Sequence, residues 1–213
     1  MTPDTDSVPW LRRMVWTPVG LLVVALVIIW GIELLDSTAL QDRLQPNGIR
    51  PRRRGGLDGI IWTPFLHADF GHVASNSVPF LALGGLVAIR GMRYWARATA
   101  VILFGGGALT WLLAADGNHI GASGVVFGYF GLIVGAAVFE RRPKALAPAL
   151  LALGFYGGLV AGLVPQGSIS WEGHLFGMIA GIIAARLLAE PRRPRHDGSG
   201  EVQPWEVDEP WLD

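Results

Sequence analysis

The chain has 213 residues, 51% hydrophobic and 16% charged, with 17 basic against 17 acidic side chains and no net charge. Its charges are gathered between long apolar stretches, which describes a polytopic membrane protein, and no nucleic-acid partner is expected. It has no cysteine, which excludes disulfides, thiol catalysis and Cys-ligated zinc.

Residues 1–13 read as a short polar arm. Asp4 and Asp6, and the length of the apolar stretch after Arg13, speak against a cleaved signal peptide. That stretch reads as a retained first span, 16–35, with Trp16 and Trp30 where interfacial aromatics sit. Residues 36–71 form a long connection containing Pro46, Asn47, Gly48, Pro51 and the run Arg52 to Arg54. Within it, 57–66 is apolar but shorter than the ~20 residues a spanning helix needs, which predicts a partly immersed loop with short helices. Further spans are predicted at 72–89, 95–115, 120–139, 145–164 and 173–188. The sixth has only a short apolar run between His174 and Arg186; it spans if the arginine snorkels to the headgroups and the histidine faces the bundle interior. Residues 191–213 read as a disordered tail, basic at Arg192, Arg193 and Arg195, then acidic and Trp-rich over 205–211.

The arginines set an expected orientation. Arg12 and Arg13, then Arg90, Arg93 and Arg97, then Arg141, Arg142 and Lys144, then Arg186 onward mark cytoplasmic segments, while 116–119 and 165–170 lack Lys and Arg. Both termini are therefore expected in the cytoplasm, at the cell membrane. The first connection breaks the rule with five arginines; long connections obey it less well.

With that parity, spans two, four and six all begin at the outer face, and each opens on an unusual polar residue: His72 with Asn76, Ser123, and His174. Intramembrane polar and ionisable groups are costly unless paired or facing a cavity, so three at one depth point to a site. Ser123 lies in Gly121-Ala122-Ser123-Gly124 at a helix start, where partnerless N–H groups and the helix dipole would stabilise negative charge on a carbonyl oxygen. A serine among small residues also occurs in packed membrane helices with no chemical role. Gly124, Gly128, Gly131 and Gly135 make one face of span four, and His174, Gly177 and Gly181 one face of span six. Contact along them brings the His174 imidazole toward the Ser123 hydroxyl, the nucleophile-and-base arrangement of acyl transfer. His72 and Asn76 share a helical face and offer oxyanion donors beside the Ser123 N–H. No carboxylate stands near His174: Glu172 would project more than about 100° away on a helix. A Ser-His dyad held by packing alone is expected.

These motifs resemble the rhomboid intramembrane serine proteases of the bacterial six-helix type, over roughly residues 60–186. The shared set is Gly-x-Ser-Gly at 121–124, His-x-x-x-Asn at 72–76 preceded by His67, and His-x-x-Gly-x-x-x-Gly at 174–181. The resemblance implies an all-α polytopic membrane protein, with a rhomboid-like bundle of six transmembrane helices over 14–190 and a first loop partly embedded in the outer leaflet. It implies Ser123 as nucleophile, His174 as base, and Ser123 N–H, His72 and Asn76 as the oxyanion site, with Gly121, Gly124, Phe127, Gly177 and Gly181 packing around them. Transmembrane proteins would be the substrates, admitted between spans five and two, and no metal or cofactor is implied. Two departures stand out. The family's Trp-Arg loop motif is replaced by Leu57-Asp58-Gly59, and its frequent tyrosine one turn after the serine is Phe127. The alternatives are a non-catalytic rhomboid-like protein that binds or escorts transmembrane helices, and a metal-binding or transport protein using His67, His72, His119 and His174. His67 and His119 are otherwise expected as loop or interface histidines.

Overall fold

The structure, a computed structural model, describes residues 17–165 and 170–189. The arm 1–13, Trp16, positions 166–169 of the last short loop and the tail from 190 lie outside the described residues. Among those described, the regular structure is helical, and β pairing is limited to an isolated antiparallel bridge between Ile49 and His119.

Helix α1, Pro18–Leu35, starts where the Thr17 hydroxyl accepts the Gly20 N–H and Pro18 occupies the first turn. It runs on through a π turn, Asp36–Leu40. The connection that follows has the short helices its apolar half predicted: 3₁₀ turns and α2, Gly59–Trp62. Helix α3, Phe70–Ala88, begins two residues before the predicted second span because the Asp69 carboxylate caps it, accepting the His72 N–H at 2.7 Å. The third segment starts earlier than predicted, at the turn made by Gly91 with φ +92°. It comprises α4, Met92–Ala100, a π segment Val101–Gly106 and α5, Gly107–Leu113. Helix α6 is Ser123–Glu140; α7 is Pro143–Tyr156, continued as a 3₁₀ segment, Gly157–Leu163; α8 is Trp171–Leu187.

Five of these segments are long and apolar enough to cross a membrane: Pro18–Leu40, Phe70–Ala88, Met92–Leu113, Ser123–Glu140 and Pro143–Leu163. The sixth predicted span, α8, has 17 residues against 18 for the shortest of the five. Exposed aliphatic and aromatic side chains such as Val27, Leu150 and Phe155 fit a lipid surround rather than water.

Helix α6 occupies the centre, with Val126, Phe127, Tyr129 and Leu132 all buried. Its glycines let α8 approach to backbone contact. A side chain at Gly177 would run into the Gly124 carbonyl, one at Gly181 into the Gly128 carbonyl, and one at Gly131 into the Met178 carbonyl. Gly128 serves two neighbours, since a methyl there would strike Ile102 of the third segment. Two buried polar groups of α6 find partners on neighbouring segments. Tyr129 shares a 2.9 Å hydrogen bond with Thr99. At the end of α6 remote from Ser123, the buried Glu140 carboxylate accepts from Arg90 at 2.7 Å, which offsets the cost of burying either charge.

Candidate active site

Ser123 is the first residue of α6, so its N–H has no carbonyl one turn behind it to donate to. The loop before it is held by the first connection through backbone groups. Gly121, at φ +114°, donates its N–H to the Thr63 carbonyl at 2.9 Å. The Thr63 hydroxyl donates to the His119 carbonyl at 2.9 Å. The Ala122 N–H donates to Nε2 of His67 at 3.2 Å. His67 is 1% exposed, and burial, with the neighbouring His72 adding to it, pushes its pKa down to about 4. It is therefore a neutral acceptor, fit for that N–H. Sequence reasoning gave His67 no such role, although a histidine at this depth was a signal in itself.

His174 lies in the first turn of α8, its N–H bonded to the Ser170 carbonyl at 3.2 Å. Its Nε2 stands 2.8 Å from the Ser123 hydroxyl. On the other side of the ring, Nδ1 is 2.8 Å from the Gly162 carbonyl oxygen. The imidazole stacks on Phe127 with ring centres 4.2 Å apart and planes 8° from parallel. This corrects the expectation that packing alone holds the imidazole: the Phe127 contact is there, but a directional hydrogen bond accompanies it. A backbone carbonyl leaves no mark in a sequence, which is why it was missed. Glu172 points elsewhere and accepts the Ala115 N–H at 3.3 Å.

His119, expected as a loop or interface histidine, is buried and joins the two halves of the site. Its Nδ1 is 2.6 Å from the Ser170 hydroxyl, at the residue just before α8. The serine loop and the histidine helix are thus tied to each other.

His72 and Asn76 occupy successive turns of α3, facing the same side. Nδ1 of His72 accepts the Ala68 N–H at 3.5 Å, which places the ring proton on Nε2. That nitrogen lies over Gly121, where a Cβ would come within 2.8 Å of it. Asn76 spends one amide hydrogen on the His72 carbonyl at 3.0 Å and keeps the second. His72, Asn76, Ser123, Phe127, Gly162 and His174 all border one cavity of about 690 Å³ between α3 and the 3₁₀ end of the fifth segment. Of the other predicted packing residues, Gly124, Gly177 and Gly181 lie in the α6–α8 contact and Gly121 beneath His72. Among the described residues, no three His, Asp or Glu side chains are gathered so as to hold a metal ion.

Five apolar helices of membrane length in a fold that is helical among the described residues mark a multi-pass membrane protein, and polar side chains from three of its helices border one cavity. The rhomboid domain model matches residues 54–191, and the chain belongs to the rhomboid family. It is 37% identical to an uncharacterized protein of Mycobacterium tuberculosis, over 90% of this chain and 84% of that one. To an uncharacterized protein of Mycobacterium leprae it is 34% identical, over 90% and 78% of the two chains. A protein of Acanthamoeba polyphaga mimivirus that carries the rhomboid name is 32% identical over 60% of this chain and 73% of its own. No solved structure gives a match.

Proposed function

We propose that this protein is an intramembrane serine endopeptidase that cuts transmembrane proteins near the outer face of the cell membrane through a Ser123-His174 dyad. The observation behind this reading is the pair of 2.8 Å contacts made by one imidazole, Nε2 to the Ser123 hydroxyl and Nδ1 to a carbonyl. Nε2 takes the hydroxyl proton as Ser123 attacks the scissile carbonyl; the tetrahedral oxyanion is met by Ser123 N–H, His72 Nε2–H and the free Asn76 amide hydrogen. The imidazolium returns its proton to the leaving amine, and water resolves the acyl-enzyme by the same steps. A membrane helix hides its carbonyls in its own hydrogen bonds, so the substrate must unwind locally, and helix-weakening residues near the cut are preferred.

In this reading α8 is a sixth span, 14–190 forms the membrane domain, and the arm 1–13 and tail 191–213 lie in the cytoplasm. The first connection rests in the outer leaflet, and substrate arrives between the fifth and second spans. The test is labelling of the purified protein in detergent by a fluorophosphonate, beside Ser123→Ala and His174→Ala. Labelling that requires both residues supports the peptidase; a folded wild type that does not label turns the reading to a non-catalytic protein that binds transmembrane helices.

A further inference from the structure

We infer that the Gly162 carbonyl is the positioning partner of His174, taking the place a carboxylate holds in a triad, so that the fifth segment fixes the tautomer of the base. The inference rests on the peptidase reading. A carbonyl oxygen only accepts, so the 2.8 Å contact requires the proton on Nδ1. In a neutral imidazole this leaves the lone pair on Nε2, 2.8 Å from the Ser123 hydroxyl. That is the tautomer a general base needs, and fixing the wrong one costs a triad peptidase about 10⁴ in kcat.

The backbone is arranged to make this contact. Regular α7 ends at Tyr156, before Gly157 and Gly158, and the chain tightens into a 3₁₀ segment that closes with Val164 N–H on the Ala161 carbonyl. Gly162 falls in that final turn, where carbonyls have no intrahelical donor and are open to another partner. Glycine suits the position. A Cβ would lie 2.9 Å from Cζ of Phe127 and 3.2 Å from His174 Nδ1, so a side chain there forces the stacked rings and the carbonyl to shift against each other. A carbonyl stabilises the imidazolium less than a carboxylate would, but it avoids burying a second ion at membrane depth.

One consequence follows for turnover. The segment Gly157–Leu163 has no buried residue and walls the cavity opposite α3. Substrate passing between them moves the Nδ1 acceptor away, and catalysis waits until the segment closes back on His174. Access and base activation are thereby coupled through one hydrogen bond.

The test compares wild type, Gly162→Ala, and a protein with Leu163 replaced by its α-hydroxy acid, which turns the Gly162–Leu163 amide into an ester and weakens the carbonyl without adding an atom. Gly157→Ala, where a Cβ meets nothing within 4 Å, is the control. Each is read by the ring-nitrogen NMR spectrum of ¹⁵N-histidine protein and by the rate of fluorophosphonate labelling. Expected are a single Nδ1–H tautomer for His174 in wild type and Gly157→Ala, and mixed tautomers in the other two. Labelling should slow about 100-fold in Gly162→Ala and about 10-fold in the ester, a part of the ~10⁴ that a wrong tautomer costs. A wild-type proton on Nε2 overturns the inference, as does slowed labelling with the tautomer unchanged, or a changed tautomer with labelling unslowed. Should Gly162→Ala fail to fold, the wild-type and ester spectra decide. A wild type that does not label strikes the peptidase reading, while its tautomer still judges the carbonyl.

Discussion

The α6–α8 seam and the fifth segment are both rich in glycine, yet they use it in opposite ways. In the seam the space of the missing side chains at Gly131, Gly177 and Gly181 is filled by a neighbouring backbone, and 67% of α6 is buried; in the apolar stretch of Pro143–Leu163 the figure is 11%, and Gly154, Gly157 and Gly158 have open space around them. The seam carries Ser123 and His174. The fifth segment carries only a carbonyl and a wall of the cavity. In the proposed reading, rigid positioning and movable access fall to different helices, and the same residue type supports close packing in one place and irregular backbone in the other.

The largest effect should come from spoiling the seam. In Gly177→Ala the added methyl collides with the Gly124 carbonyl, a backbone atom that cannot turn aside. A destabilisation of at least about 3 kcal/mol is expected, seen as loss of the folded protein in detergent thermal melts, with labelling lost too. A variant that melted like wild type would dissolve the contrast between the two regions.

Next in size are the proposed oxyanion donors. His72→Ala and Asn76→Ala should each lower kcat about 10²–10³-fold with KM little changed, while the melting temperature stays close to wild type. Because α3 meets the cavity from the side facing the fifth segment, these variants separate a chemical loss from a structural one. An unchanged kcat in both would remove α3 from the reaction.

The third prediction concerns the clamp on the serine loop. His67 has a pKa of about 4 in the fold against 6.5 when unfolded. Above pH 6.5 both states hold it neutral and its contribution is complete. Between 6.5 and 4 the unfolded chain takes up a proton that the fold refuses, so stability falls with falling pH, by about 3 kcal/mol across the window. His67→Gln should flatten that part of the pH dependence of thermal unfolding. An identical slope in the variant would show that His67 does not titrate in this range.

Much of this arrangement was legible because side chains carried it. Apolar runs located the five helices of membrane length, and His72, Ser123 and His174 stood out as polar residues near helix starts. The glycine spacing of 124–135 and 174–181 pointed to the seam, though it did not reveal that Gly128 also admits Ile102. What escaped was written in local capping, in backbone and in contacts distant along the chain. The Asp69 cap and the Gly91 turn moved helix starts by a few residues. The π segment Val101–Gly106 and the 3₁₀ segment Gly157–Leu163 have no periodicity that separates them from α-helix over so few residues. Gly162, whose carbonyl meets His174, has no side chain to notice, and His67 and His119 act on groups that a one-dimensional pattern does not place beside them.

The smallest effect is expected at Gly154, in the regular part of α7. A methyl there meets nothing within 4 Å, alanine is the better helix former by about 1 kcal/mol, and the unfolded chain loses freedom. Gly154→Ala should therefore raise stability by up to about 1 kcal/mol, the opposite sign to the identical change at Gly177. Labelling by a small fluorophosphonate should not change, since the probe reaches the cavity without a helix having to pass. Cleavage of a transmembrane substrate should slow by a few-fold, because a stiffer α7 yields less readily to an incoming helix. Equal rates on the helical substrate would mean that the looseness of the fifth segment is incidental. Slowing of both reactions together would mean that α7 holds the reacting groups as firmly as the seam does, and the division between the two regions would fall.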